Sequence, residues 1–178
     1  MKTFRDFLYD VHDVIDLEEA SLSRTKSKSD KTGIATLSAS RSNLSKKENS
    51  KRAKQLDKDI RSKFGRGATK ATGSYIEKDE KTGKETKVKE RSHIIDRGKM
   101  GKRKFRRTVK KLGKKYGQDS VLTQTKKTGR LDATRKGGLG KRKTKSVGRF
   151  KPQGTNPSGQ TQIKGKTFTY EKDKGRKK

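Results

Sequence analysis

The chain has 178 residues, room for one ordinary domain, and carries 52 Lys and Arg against 20 Asp and Glu, a formal net charge of +32. Leu, Ile, Val and Phe together number 29, which excludes the core of a large enzyme and, at this charge, is typical of a partly disordered chain. The absence of cysteine excludes disulfides, the two histidines argue against a metal site, and no apolar run is long enough for a membrane span, so neither a cofactor nor a membrane partner is expected.

The first 20 residues differ from the remainder in charge. Residues 1–20 hold six acids against two bases, a net −4, whereas residues 21–178 carry 50 bases against 14 acids. Apolar residues recur in 1–20 at spacings of three and four, which predicts an acidic amphipathic leader helix. Its apolar stripe comprises Phe4, Phe7, Leu8, Val11, Val14 and Ile15. The Ser- and Lys-rich residues 21–32 are aperiodic and predict a flexible linker.

Residues 33–126 are predicted to form a small basic α+β domain. A partly alternating segment, Ile34–Ser40, indicates a strand. Ser45 and Glu48 then form a capping-box pattern, and the apolar spacing behind it predicts a helix over residues 45–64.

The second half of this domain contains a hairpin, a helix and a strand in the sequence-based interpretation. Two strands, containing Tyr75 and Val88–Ile95, are joined by turn-forming residues 79–84. An apolar stripe from Phe105 to Tyr116 predicts a helix that stops at Gly117, and Ser120–Gln124 predicts the last strand. The resulting order, β-α-β-β-α-β, is typical of a ferredoxin-like sandwich.

The C-terminal segment, residues 127–178, has the composition of a flexible basic tail. It holds half of the 18 glycines, both prolines, and 17 Lys and Arg against three acids. Such a segment buries too little apolar surface to offset its chain entropy. One exception, Lys166–Tyr170, alternates like a strand and could extend the sheet edge.

The cation-rich second helix predicts contact with nucleic-acid phosphates. Residues 98–118 contain no acid, and like charges one turn apart repel one another unless an anion lies beside them. The predicted contacts are Lys102, Arg103, Arg106, Arg107, Lys110, Lys111, Lys114 and Lys115, with Lys141, Arg142 and Lys143 in the tail. Nucleic acid is the commonest cellular polyanion, so the predicted partner is DNA, with RNA as the alternative, and binding would be independent of base sequence.

Two further sets of residues are candidates for catalysis. Asp79, Glu85 and Lys87 could mimic a metal-dependent nuclease, a remote alternative because E-x-K arises by chance in a chain rich in both residues. His12 and His93 have no partnered nucleophile, so each is interpreted as a surface or edge residue without a catalytic role.

The opening Met1–Leu8, together with Leu17-Glu18-Glu19-Ala20, resembles the capsid-targeting leader of internal head proteins from T-even-type tailed phages. The resemblance implies that the helix meets the scaffold or the prohead protease, with Leu17 and Glu19 recognised and the cut placed between Glu19 and Ala20. The body from Gly33 onward is similar to uncharacterised basic proteins of T-even-like phages of marine cyanobacteria.

These observations lead to one functional hypothesis and one alternative. The first is a phage-encoded internal head protein, not an enzyme, which is packaged with the genome in the virion interior and binds DNA phosphates. The alternative is a host-takeover factor that acts in the infected cytoplasm on a host enzyme or nucleic acid.

Overall fold

The computed structural model describes residues 22–78, 83, 85–152 and 159–171. Three helices occur in this part of the chain: α1 (22–31), α2 (Lys46–Phe64) and α3 (Lys102–Lys115). The strands are β1 (Ile34–Ser38), β2 (Thr69–Lys78), β3 (Glu85–Asp96), β4 (Ser120–Gln124), β5 (Gly129–Ala133), β6 (Gly138–Lys141), β7 (Thr144–Pro152), β8 (Gly159–Ile163) and β9 (Lys166–Glu171). The predicted leader helix and its processing site at Leu17, Glu19 and Ala20 lie outside the described residues.

Eight of the strands form a closed antiparallel barrel in the order β1-β3-β2-β8-β9-β7-β5-β4. The barrel closes because β1 pairs on both sides: Ile34 lies opposite Asp96 of β3 and opposite Gln124 of β4. β6 lies outside this ring and contacts β5. Successive side chains along a strand point to opposite faces, so each strand contributes one row to the inside and one to the outside.

The predicted ferredoxin-like sandwich is wrong, although several of its elements are present. α2 begins with the predicted capping box of Ser45 and Glu48, and β4 has the predicted bounds. However, the sheet does not end at β2 and β4, because β2 also pairs with β8 and β4 with β5. Closure leaves neither strand as an open sheet edge, and the architecture is therefore a barrel.

The predicted flexible tail is also wrong, because residues 127–178 contain the four strands that complete the barrel. Phe150, Ile163 and Phe168, one from each of β7, β8 and β9, are almost fully buried. A barrel strand needs apolar residues only at alternate positions, and a small barrel admits few of them. β5 and β8 pair with β4 and β2, and β7 and β9 complete the ring between them, so this glycine-rich, charged segment folds because barrel closure gives its strands hydrogen-bonding partners.

Two apolar clusters hold the fold together. The outer cluster packs α2 and α3 against the outside of the sheet and includes Ala35, Leu37, Leu56, Ile60, Ile95, Phe105, Val109, Leu112 and Val121. The inner cluster fills the barrel and comprises Leu22, Ile34, Ala71, Ile94, Phe150, Ile163 and Phe168, with Tyr170 packed against it.

Helix α1 occupies most of the segment predicted to be a flexible linker. Leu22, Thr25 and Ser29 are its buried residues, and Leu22 joins the inner cluster. The spacings of three and four place these residues on one helical face. Since two of the three are polar, the face is not visible as an apolar stripe in the sequence.

His93 was predicted to lie at the surface or at an edge. It is instead fully buried within β3 and faces Asp57 of α2. Its Nε2 lies 3.3 Å from Oδ1 of Asp57, within ion-pair distance but without hydrogen-bond geometry. Burial lowers the pKa of His93; Asp57 opposes this shift, and Lys70 and Arg91 reinforce it. The folded protein therefore keeps this imidazole neutral more strongly than the unfolded chain does.

We expect the free energy of unfolding to decrease as the pH falls from about 7 to 5. The unfolded chain binds a proton at His93 near the usual pKa of 6.5, while the folded chain resists protonation until a lower pH. One such proton gives a slope of up to about 1.4 kcal/mol per pH unit. Urea unfolding of the wild type and of His93→Gln across this range measures the slope, and an equal slope in both proteins would contradict the assignment. Asp59 and Asp96, whose pKa values are lowered from 3.8, titrate below this window.

Candidate active site

A cavity of about 310 Å³ lies at one end of the barrel. The turn between α1 and β1, the first turns of α3 and the β4–β5 hairpin form its walls. Its lining residues are Thr32, Gly33, Ile34, Arg97, Lys102, Arg103, Phe105, Arg106, Thr123, Gln124, Thr125, Thr128 and Arg130. The volume lies at the small end of the range for ligand sites, which fits one small molecule.

Gly33 allows the α1–β1 turn to pass close to β4 at the cavity wall. Its φ is +97°, a conformation that side-chain-bearing residues rarely adopt, and a Cβ there would lie 3.0 Å from the backbone oxygen of Gln124. The Gly33 N–H donates to the Lys28 carbonyl at 2.9 Å, and its own carbonyl accepts from the Arg97 N–H at 2.9 Å. The turn is thus fixed to both α1 and the end of β3.

The cavity is lined by cations without a compensating acid on its wall. Arg97, Lys102, Arg103, Arg106 and Arg130 contribute positive charge, and the described lining includes no Asp, Glu, His or Tyr. Arg97 is held by the backbone, because its guanidinium donates to the carbonyl of Thr32 and, at 2.6 Å, to that of Met100. The wall therefore favours an anionic group on a bound ligand.

A single buried carboxylate lies behind this wall. Asp132 is fully buried and accepts two hydrogen bonds from Arg106, at 2.7 Å from Nη2 and 3.1 Å from Nε. Nε of Arg130 lies 3.4 Å from the same carboxylate. The bidentate bond fixes the plane of the Arg106 guanidinium, and three of its five N–H groups are not used in it.

The N-terminus of α3 adds to the positive potential of the cavity. Gly101 occupies the N-cap position, where no side chain accepts a hydrogen bond from the first amides, and the first turn contains no acid. The first amides of a helix lack intrahelical partners, and the helix dipole is positive at this end. A carboxylate or another small anion is stabilised at such a position.

Gln124 supplies a buried hydrogen-bond acceptor in the same wall. Its side chain is 2% exposed; Nε2 donates to the Thr125 carbonyl at 2.8 Å, and Oε1 has no hydrogen-bond partner among the described residues. The Thr125 carbonyl sets the amide orientation, since a flipped amide would place two oxygens in contact. A buried acceptor without a donor is costly, so Oε1 is a polar atom that the packing of the β4–β5 hairpin leaves unsatisfied in the described part of the chain.

The residues predicted to bind phosphates are divided among several places. Lys102, Arg103 and Arg106 line the cavity, and Arg103, Arg106, Arg107, Lys110, Lys111 and Lys114 line an open groove of about 430 Å³ along α3. Lys115 instead forms an ion pair with Asp59 at 2.6 Å. Lys141, at the end of β6, and the following Arg142 and Lys143 are exposed and line neither the cavity nor the groove.

Sequence reasoning missed the part of the cavity that comes from outside α3. Arg97 follows β3, and Gln124 ends β4. Arg130 and Asp132 lie in β5, inside the segment predicted to be a flexible tail. A local signal did exist for β5: Arg130 and Asp132 are two residues apart and therefore share one face of a strand. It was not recognised because that segment was not expected to form a strand.

The described residues provide no metal site for the nuclease alternative. Within the described ranges, no group of three or more His, Cys, Asp or Glu is placed to hold a metal ion. Glu85 starts β3 and is exposed, whereas Asp79 lies outside those ranges. None of the described helices is long and apolar enough to cross a membrane.

Comparison with known proteins identifies a family. A model described as the S-Adenosylmethionine lyase family matches residues 35–176, about four fifths of the chain. The matched range begins in β1 and extends through β9, so it includes every barrel strand and most of the cavity wall. A comparison with curated proteins gives no match.

This match overturns the functional interpretation of the sequence. The hypothesis of a DNA-binding internal head protein and the expectation that the chain is not an enzyme are wrong, because the matching family is one of lyases. The host-takeover and nuclease alternatives receive no support from it. The chain belongs to the S-adenosylmethionine lyase family.

Proposed function

We propose that this protein cleaves a carbon–sulfur bond of S-adenosylmethionine and binds that substrate in the cavity beside α3. The observation that carries the proposal is the family match across residues 35–176. The cavity adds support because it combines a small volume with a cationic wall that can hold a carboxylate. A lyase breaks a bond without water or an oxidant, and the sulfonium centre makes the carbon–sulfur bonds the reactive ones.

The polar groups of the cavity match the amino-acid end of the substrate. That end carries one carboxylate and one ammonium. Arg106 and Arg130 provide guanidinium donors for the carboxylate. They lie next to the N-terminus of α3, whose first amides receive no side-chain cap from Gly101.

The lining residues favour an intramolecular reaction over elimination. Elimination requires a base to remove a carbon-bound proton, and the described lining contains no carboxylate, imidazole or phenol. The substrate's own carboxylate can instead attack the γ-carbon. A carbon–oxygen bond then forms as the carbon–sulfur bond breaks, and sulfur retains the electron pair. The products are 5′-methylthioadenosine and homoserine lactone, and no external proton is required.

The cationic wall has opposing effects on this reaction. It lowers the nucleophilicity of the carboxylate and weakens binding of the sulfonium. The cations also destabilise the positive charge on sulfur in the bound substrate. Because that charge disappears as the carbon–sulfur bond breaks, this effect lowers the barrier. The carboxylate and the γ-carbon already belong to one molecule, so the protein contributes by holding the substrate in the conformer in which the carboxylate faces the carbon–sulfur bond.

The proposal is tested by incubating the purified full chain with S-adenosylmethionine and analysing the products by liquid chromatography and mass spectrometry. We expect 5′-methylthioadenosine and homoserine lactone in equal amounts. Decarboxylated S-adenosylmethionine, which lacks the nucleophile, should remain intact. Failure to consume S-adenosylmethionine would overturn the proposed activity, and cleavage of the decarboxylated compound would overturn the intramolecular step.

A further inference from the structure

We infer that Asp132 is a positioning residue, which holds Arg106 and Arg130 in the orientation that receives the substrate's carboxylate. This inference rests on the proposed function. Asp132 itself does not line the cavity, so it would act only through the two guanidinium groups in front of it.

The contacts of Asp132 connect separate parts of the cavity wall. Its carboxylate lies 2.7 Å and 3.1 Å from the two bonding nitrogens of Arg106 on α3, and 3.4 Å from Nε of Arg130 on β5. Oγ1 of Thr123 on β4 lies 3.4 Å from Oδ2. All three partners line the cavity, so one carboxylate organises a helix and two strands around it.

The burial of Asp132 separates it from the other described acids that pair with bases. Its side chain is 1% exposed, compared with 14–50% for Asp57, Asp59, Asp96 and Asp119. A fully buried carboxylate is a poor source of net stability, because desolvation offsets most of the attraction to its partners. Its location directly behind the cationic wall is therefore better explained by a requirement for orientation.

The two arginines need such an orienting group because their side chains are partly exposed. Arg106 is 41% exposed and Arg130 is 37% exposed. An arginine at this exposure can adopt several rotamers, and holding it in one of them has an entropic cost that is repaid by the bond to Asp132. Without that bond, both guanidinium groups would present their donors to the cavity for a smaller fraction of the time.

The test compares a ligand that carries the amino-acid end, including its carboxylate, with one that does not. S-adenosylhomocysteine carries it, whereas 5′-methylthioadenosine lacks the whole amino-acid part. For Asp132→Asn, calorimetry should show the Kd of S-adenosylhomocysteine raised about tenfold or more and that of 5′-methylthioadenosine within about twofold of wild type. The matched control is Asp119→Asn, which removes the acid of the exposed Asp119–Arg135 pair and should change neither Kd.

A double-mutant cycle separates positioning from a general structural role. If Asp132 acts through Arg106 and Arg130, Asp132→Asn should weaken S-adenosylhomocysteine binding less in an Arg106→Gln background than in the wild type, because only the orientation of Arg130 is then left to lose. Fully additive losses, or equal losses for both ligands, would overturn the inference.

Arg106→Lys provides a second test, in which the buried residue Asp132 is unchanged. Lysine keeps the charge but cannot form the bidentate bond, so S-adenosylhomocysteine affinity should fall as it does in Arg106→Gln. Wild-type affinity in Arg106→Lys would contradict the inference even if Asp132→Asn failed to fold. A wild-type protein that binds neither ligand and cleaves no S-adenosylmethionine would instead overturn the proposed function.

Discussion

Arg106→Gln is expected to lower kcat/KM for S-adenosylmethionine about 100-fold, because a charge-assisted contact to the substrate is lost and a buried carboxylate loses its main partner. Arg106 donates to Asp132 at 2.7 Å and 3.1 Å and lines the cavity. Arg107, the next residue of α3, lines the open groove but not the cavity. Arg107→Gln removes the same charge from the same helix and should change kcat/KM by no more than about twofold.

Initial rates across a range of substrate concentrations measure both parameters. A change confined to KM would indicate that Arg106 binds the carboxylate equally in the ground state and the transition state, whereas a fall in kcat would indicate a role in orienting the attack. Equal losses in Arg106→Gln and Arg107→Gln would mean that only the net charge of α3 matters. That result would remove the cavity as the proposed binding site.

Phe168→Ala is expected to reduce the free energy of unfolding by about 3–5 kcal/mol. Phe168 of β9 is 1% exposed, and its ring centroid lies 4.5 Å from that of Phe150 on β7. Truncation would remove aromatic contacts from the inside of the barrel and leave a cavity there. If residues 127–178 were instead a flexible tail, the same substitution would have almost no effect.

Urea unfolding followed by circular dichroism measures this loss. Thr167→Ala, one position earlier in β9 and partly exposed, is the matched control and should change stability by less than about 0.5 kcal/mol. Phe168→Leu keeps most of the volume and should cost under about 1.5 kcal/mol, so it remains measurable if the alanine variant does not fold. Wild-type stability in both Phe168 variants would contradict the closed barrel.

The functional interpretation failed at the step from net charge to partner. A charge of +32 is a valid argument about solubility and nonspecific association, but it does not identify a reaction. Net charge treats all cations alike, whereas the structure separates them: Arg106 lines the cavity, Lys115 pairs with Asp59, and Lys141 is exposed at the end of β6. Only the first of these contributes to the site proposed for the substrate.

The sequence by itself determined the elements whose signals are local. The capping box of Ser45 and Glu48 starts α2, the stripe from Phe105 to Tyr116 defines α3, and Gly117, with φ of +71°, follows the end of α3 as predicted. These features depend on side chains three or four residues apart and on the conformational freedom of one glycine. Both can be evaluated without knowing what the element packs against.

The tertiary structure decided everything that depends on pairing between distant segments. Strands β5 and β8 pair with β4 and β2, whereas β7 and β9 pair with β5, with β8 and with each other, so their weak apolar pattern is sufficient only within the closed barrel. The cavity likewise requires Asp132 to meet Arg106, 26 residues away in the chain, and a carboxylate becomes buried only when strand and helix have been brought together. Burial and contact are properties of the assembled fold, and for that reason the candidate site appeared only in the structure.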